Sequence, residues 1–184
     1  RAATALIPAA SGETRPLLRS SLAFCHALRG QLREADVDRE VREYLADEVV
    51  TGHNRPDAIL RSMGRRIGRL RNAGQIDPLD FRILDERLCA LAALQAGCER
   101  IANTPLPFAY TLLLHRAAYI FCLLLPFVLA TQLGWLTPLF TVVIAYSFFG
   151  LDALSEELED PFGMEANDLP LDRMCRICEI SVFE

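Results

Sequence analysis

The sequence contains no lysine, and all 19 of its basic residues are arginine. It also lacks a glycine-rich phosphate loop, a nucleophile elbow and an HExxH zinc motif, so the common enzyme signatures are absent. No region carries the basic excess that binding to phosphate backbones requires, which argues against a nucleic-acid partner. The chain starts with Arg1 and shows no signal-peptide pattern, so we expect the sequence to begin inside a longer protein.

The sequence also contains a long stretch without charged residues, since no Asp, Glu, Lys, Arg or His occurs between Ala117 and Leu151. One straight helix over this stretch would be about 52 Å long, whereas the hydrocarbon core of a bilayer is about 30 Å thick. The stretch must therefore fold back, and Gln132 to Gly134 is the predicted turn. A helix at the surface of a soluble protein needs a polar face, which this stretch lacks. The sequence thus predicts a helical hairpin embedded in a membrane.

Charged residues are segregated along the chain. Residues 1–104 hold 16 arginines and 14 acidic residues, residues 105–155 hold only Arg116 and Asp152, and residues 156–184 hold nine acidic residues against two arginines. The pattern predicts a cytoplasmic helical region over residues 1–104, a transmembrane helical hairpin over residues 105–151 and an acidic cytoplasmic segment over residues 152–184. Arginine marks the cytoplasmic side, and the turn carries no charge, so both flanks are expected in the cytoplasm. The six cysteines should be free thiols in that compartment.

Apolar residues at helical spacing predict an all-α fold outside the hairpin, and no segment shows the alternation of a strand. Four helices are expected, from Pro16, from Val37 to Val50, from Asp57 to Arg71, and from Pro78 to about Ala102. The first should bury Leu18, Leu22, Cys25, Leu28 and Leu32, and the fourth Leu84, Leu88, Leu91, Leu94 and Cys98. Asp77 is the expected N-cap of the fourth helix, with Pro78 in its first turn.

Two motifs near or beyond the apolar stretch are candidates for function. His115 and Arg116 precede it directly, and ionisable residues at membrane depth are often functional. The alternative is that they mark the membrane–water interface, with Arg116 reaching the headgroups. Cys175 and Cys178 form a CxxC pair, but a zinc site needs two further ligands and a redox site needs a neighbouring strand. The simpler interpretation is two small side chains on one face of a C-terminal helix.

Two charged clusters have open interpretations. Arg61, Arg65 and Arg69 recur every four residues, and could form a solvated face, pair with acidic residues or bind phosphate. The acidic residues, which could attract ions, regulate the protein or coordinate a hard cation, are Glu156, Glu157, Glu159, Asp160, Glu165 and Asp168. Their spacing is not that of an EF-hand, and solvated carboxylates are the commoner explanation.

Two segments, NTPLPFAYTLLLHRAAYIFCLLLPF and EELEDPFGMEANDLPLDRMC, resemble the bestrophin family of ion channels, especially its bacterial members. The most specific part is Asp160 to Gly163 followed by Asn167 to Pro170. The resemblance implies a homopentamer around one axial pore in the cell membrane, with four spans per subunit, of which this chain would supply the last two. It further implies passive conduction of small monovalent ions without a cofactor. The family suggests chloride, while some bacterial members conduct cations and the acidic tail mildly favours them.

The resemblance also assigns possible roles to particular residues. Alignment through the segment IGRLRNAG implies that Ile59 forms a constriction of the pore, although periodicity equally allows Ile59 to pack with Met63 and Ile67 in a core. The calcium clasp of eukaryotic members has an unbroken acidic run, where this chain has only Glu165 and Asp168, so neither calcium control nor a metal site is expected. A non-conducting membrane scaffold and a thiol enzyme are the competing classes.

Overall fold

The computed structural model describes residues 6–7, 12–45, 54–104 and 108–183, apart from the side chains of Phe108, Thr111 and Glu156. The helices are α1 (Thr14–Leu32), α2 (Asp38–Leu45), α3 (Arg55–Asn72), α4 (Pro78–Asn103), α5 (Phe108–Leu133), α6 (Thr137–Glu159) and α7 (Leu171–Phe183), and a 3₁₀ turn, Gly134–Leu136, joins α5 to α6. No strand occurs in these ranges, which confirms the all-α prediction for the part of the chain that they cover.

The chain divides into two compact units. The first combines Arg1–Ala102 with Pro170–Glu184, and the second is Asn103–Leu169. The residues of the predicted acidic C-terminal segment are divided between the two units. Its first residues continue α6 as far as Glu159, and its last residues form α7 in the first unit.

Capping residues set the starts of α3 and α4. Asp77 accepts a hydrogen bond on Oδ2 from the backbone N–H of Leu79 at 3.1 Å, as its predicted capping role requires. Helix α3 begins at Arg55, two residues before the predicted start at Asp57. The reason is that Asn54 caps it, accepting the N–H of Asp57 at 3.1 Å, while Pro56 fits in the first turn, where no helical hydrogen bond is lost.

The core of the first unit lies between α1, α2 and α3, with one contribution from α4. Ile59, Met63 and Ile67 share one buried face of α3, as their spacing predicts. On α1 the fully buried apolar positions are Leu17, Leu22, Ala23, Phe24 and Ala27, so most of the predicted stripe is only half-buried. The other buried core residues include Val37, Val41, Leu45, Leu60, Leu70, Ile76 and Leu84.

Gly30 allows the end of α1 to meet the chain that follows it. A Cβ atom at this position would lie 2.3 Å from Cγ2 of Val37 and 3.1 Å from the carbonyl oxygen of Ala35. The backbone also closes the end of α1 here, because the N–H of Ala35 donates to the carbonyl oxygen of Gly30 at 2.9 Å. A side chain at position 30 would therefore push against the core.

Helix α4 is long and mostly uncovered in the single chain. Of its residues only Leu84 and Gln95 are buried, whereas Leu79, Leu94 and Ile101 are exposed. Of the predicted apolar stripe, Leu84 is buried, Leu88 and Leu91 pack partly against the core, Cys98 is half-buried, and Leu94 is exposed.

The second unit consists of α5, the 3₁₀ turn and α6. Residues Leu112–Glu159 form a helical stretch with a mean hydropathy of 2.0, long and apolar enough to cross a membrane by length and composition. No residue of its most apolar window is buried, and most of the exposed large apolar side chains of the described residues lie here. The chain turns at Gly134, whose φ of +50° lies in the region that glycine adopts most readily.

Candidate functional site

Helices α5 and α6 lie against each other in one register. Tyr119 faces Phe149 with ring centroids 5.2 Å apart, and Phe121 faces Phe148 at 5.1 Å. Such tilted aromatic pairs add to the attraction from packing alone. Because the paired residues are equally or almost equally distant from Gly134 along the chain, the two helices pack antiparallel on either side of the turn.

The same register brings His115 next to Asp152. The Nε2 atom of His115 lies 2.9 Å from Oδ2 of Asp152, with side chains 29% and 20% exposed. Arg116, the other predicted interface residue, is exposed. Sequence analysis selected His115 but not its partner, and the signal that could have found Asp152 was the turn at Gly134, since the two residues lie nearly symmetrically about it.

The acidic residues are used mainly to hold the loop between α6 and α7. Asp160 accepts the N–H of Phe162 at 3.3 Å, Asp168 accepts the N–H of Glu165 at 2.6 Å, and Glu157 accepts an N–H from Asn167 at 2.9 Å. The side chain of Glu156 lies outside the described part, and Glu159 and Glu165 are exposed. No group of three or more His, Cys, Asp or Glu among the described residues is placed to hold a metal ion.

Ile59 is completely buried in the single chain, with 0% of its surface exposed. A side chain that lines an axial pore must be accessible in the isolated subunit before the ring of subunits forms. The burial agrees with packing against Met63 and Ile67, and a place at a constriction stays a prediction of the family resemblance. Arg65 and Arg69 on the opposite face of α3 are exposed, whereas Arg61 pairs with Asp57 and Arg66 with Glu13.

A polar cluster that sequence analysis missed attaches α7 to α1 and α2. Oε1 of Glu179 accepts hydrogen bonds from Nε2 of His26 at 2.8 Å and from the hydroxyl of Tyr44 at 2.9 Å. The bond from Tyr44, followed by that from His26, holds the pKa of Glu179 below its usual value. His26 also stacks on Tyr44 at 5.4 Å. Since His26 and Glu179 are far apart in sequence, no local pattern could have paired them.

Both members of the CxxC pair face α1. The thiol of Cys175 is 3.7 Å from the carbonyl oxygen of Cys25, and both Cys175 and Cys178 are close enough to Cys25 to help raise its pKa. Burial raises the pKa of Cys25 to about 12 and that of Cys175 to about 11. Because the thiolate is the nucleophile, both groups are weakly reactive at neutral pH. The arrangement agrees with packing of a C-terminal helix.

A second missed cluster lies at the start of α3. Oε1 of Glu99 accepts hydrogen bonds from the amides of Gln95 at 2.7 Å, Asn54 at 2.8 Å and Gln31 at 3.0 Å. The bond from Gln95, which is 4% exposed, is the main reason why the pKa of Glu99 is lowered. Through Asn54, the cap of α3, the cluster joins α1, α3 and α4.

A charged helical body joined to two long, outward-facing apolar helices has the build of an integral membrane protein. The family model described as bacterial/fungal bestrophin protein matches residues 1–184. The chain therefore belongs to the bestrophin family, as the resemblance in sequence predicted.

Named relatives and solved structures agree with this family. The chain is 63% identical to the voltage-dependent anion channel-forming protein of Mesorhizobium japonicum, covering 100% of this chain and 60% of the relative. It is 44% identical to the voltage-dependent anion channel-forming protein YneE of Escherichia coli K12, covering 95% and 59%. A bacterial bestrophin homologue from Klebsiella pneumoniae superposes with a TM-score of 0.83 at 43% identity, covering 90% of this chain and 63% of that chain. A further solved membrane protein gives a TM-score of 0.90 at 42% identity, covering 96% and 67%.

Proposed function

We propose that this protein is a subunit of a passive ion channel of the bestrophin type. The observation that carries the proposal is family membership over the whole chain, with relatives named as anion channel-forming proteins. The chain spans about 60% of the length of these relatives, so conduction is proposed for the protein that contains it. Within that protein, the second unit supplies a membrane hairpin and the first unit a cytoplasmic body.

Side-chain chemistry supports placing α5 and α6 in the membrane. The hydroxyls of Thr131, Thr141 and Ser147 donate to carbonyl oxygens within their own helices at 2.9 to 3.0 Å. Polar groups in hydrocarbon need such internal partners because no water is available. The connection at Gly134 bears no charge and the flanks carry arginine, which favours a turn at the far side and both flanks in the cytoplasm. For a bacterial protein this is the inner membrane.

The uncovered face of α4 supports an oligomer. Leu94 and Ile101 are exposed large apolar side chains on a helix that buries only two residues in its own chain. Exposed apolar side chains on one face of a helix are a common feature of protein–protein interfaces. Together with family membership, it favours assembly of copies around one axis, and the proposed assembly is a homopentamer.

Chloride is the proposed permeant ion because the relatives are named for anion conduction. The carboxylates of Glu157, Asp160 and Asp168 each accept a hydrogen bond that holds the loop between α6 and α7. Their negative charge is therefore partly compensated within the fold. A constriction at Ile59 stays a prediction of the family resemblance, beside the core-packing alternative that its burial favours.

Planar-bilayer recording of the purified protein, expressed as its gene encodes it, tests the proposal. Replacing chloride by an impermeant anion should shift the reversal potential, whereas replacing sodium should leave it unchanged. Current should persist when calcium is chelated, because only Glu165 and Asp168 supply acids after Gly163. Native mass spectrometry should give five subunits. A non-conducting scaffold, the alternative, would give no current under any of these conditions.

A further inference from the structure

The contact between His115 and Asp152 is an ion pair at a particular depth of the proposed hairpin. About 28 Å of helix separates His115 from Gly134, close to the roughly 30 Å of a hydrocarbon core. The pair therefore joins α5 and α6 where they reach the cytoplasmic boundary, at the open end of the hairpin. It is the one ion pair found among the described residues of the second unit.

Few other charged residues flank this pair along α5 and α6. Arg116 follows on the same turn of α5 but is exposed, and Glu156 follows Asp152 by one turn of α6. Glu157 is bonded to Asn167. Toward Gly134, both helices lack any further charged residue. The aromatic pairs that follow the ion pair along the helices contribute packing and no charge.

An ionisable pair at such a place is expected to affect function. Ionisable residues of transmembrane helices tend to pair with one another and commonly mark ion or proton pathways. Histidine is the side chain whose charge ordinarily changes between pH 5 and 8. Deprotonation of His115 would turn an ion pair into a hydrogen bond from a neutral imidazole to the Asp152 carboxylate, which removes the attraction between opposite charges.

We propose that His115 and Asp152 are positioning residues that hold the open end of the hairpin in its conducting arrangement, and that the state of this contact makes the current depend on cytoplasmic pH. The proposal rests on the channel function proposed above. It requires that the current fall as the pH rises and His115 loses its charge.

Currents through the channel in planar bilayers, recorded while the cytoplasmic pH is raised from 6 to 8.5, test this role. The wild-type open-to-closed ratio should fall by about fivefold or more, a coupling within the usual range for linked sites. His115→Lys keeps a positive charge at every pH used, so its current should stay high at pH 8.5. His115→Gln cannot be charged, so its current should be low and independent of pH. The exchange variant H115D/D152H should restore the wild-type profile.

Arg116→Gln is the matched control, because it removes a neighbouring charge that does not contact Asp152. It should keep the wild-type pH profile. A flat wild-type profile, or the same profile in His115→Lys and His115→Gln, would overturn the positioning role while leaving conduction intact. Absence of wild-type current would instead refute the channel proposal and this role with it. Thermal unfolding of the four members of the His115/Asp152 double-mutant cycle should also show coupling near pH 6 that shrinks toward pH 8.5, and additive effects at both values would contradict the pair itself.

Discussion

Replacing Ile59 with alanine distinguishes core packing from pore lining. The side chain is completely buried among residues that include Met63 and Ile67. Removing three carbon groups at about 0.8 kcal/mol each gives a loss of about 2.4 kcal/mol in transfer free energy. The cavity left behind adds to this, so the free energy of unfolding should fall by about 2–5 kcal/mol.

Melting of the purified protein, followed by intrinsic fluorescence, measures this loss. For a helical body of this size the midpoint should fall by roughly 10 °C or more. Ile177→Ala is the control, since it makes the same change at a side chain that is 56% exposed on α7. Its effect should stay within about 0.5 kcal/mol.

Single-channel recording of Ile59→Ala completes the comparison. Removing a core residue should leave the conductance unchanged, whereas widening a hydrophobic ring should increase it. Increased conductance at an unchanged melting midpoint would refute the packing argument and place Ile59 at the pore.

Four further predictions concern other parts of the chain. Gly30→Ala should lower the free energy of unfolding by about 1–3 kcal/mol in a melting experiment, because its Cβ would lie 2.3 Å from Val37. Gly68→Ala, a helical control with open space around it, should instead stabilise by about 0.5–1 kcal/mol, and equal effects would contradict the clash. The pKa of Glu179 is lowered by its bonds from Tyr44 and His26, so its contribution to stability is present above the unfolded-state value and is lost as the pH falls through the folded-state value. Glu179→Gln should therefore flatten the acid side of the melting-temperature profile, and an unchanged profile would exclude this group as its source. Val142→Arg, in the apolar part of α6, should cost about 3 kcal/mol of insertion and reduce the yield in isolated membranes, whereas a normal yield would count against contact with lipid. Thiol labelling at pH 7 should be slow at Cys25, whose pKa is raised to about 12, and fast at exposed Cys89, and rapid labelling of Cys25 would revive the thiol-enzyme alternative.

The helices could be predicted because they depend on residues that are close together in the sequence. Much of the candidate site could not be predicted, because it depends on contacts between residues that are far apart in the sequence. The capping of α4 by Asp77 depends on a few adjacent residues and could be read directly. The predicted start of α3 at Asp57 is two residues late, because Pro56 is typical of a helix break as well as of a first turn and only the capping by Asn54 distinguishes the two. Family resemblance then supplied the function class, which periodicity alone could not.

The missed contacts share one physical cause. The pairs His26–Glu179 and His115–Asp152 join helices that are separated along the chain, and only the packed fold brings them together. The pair His115–Asp152 could have been found from the position of the turn. Two antiparallel helices joined at Gly134 bring together residues that lie at nearly equal distances from it along the chain. The pair His26–Glu179 depends on where α7 docks, for which the sequence around Glu179 carries no signal.

The first unit is built from two separate segments of the chain, and this has a consequence for biosynthesis. Its last helix, α7, is encoded after the entire second unit, yet it completes the polar cluster around His26 and Tyr44. When Ala102 has been translated, about 80 further residues must be added before the unit is complete, which takes roughly 4–16 s at ordinary elongation rates. During that interval the face of α1 that will receive Cys175 and Glu179 stays open. The proposed membrane hairpin is therefore synthesised before the first unit can be completed.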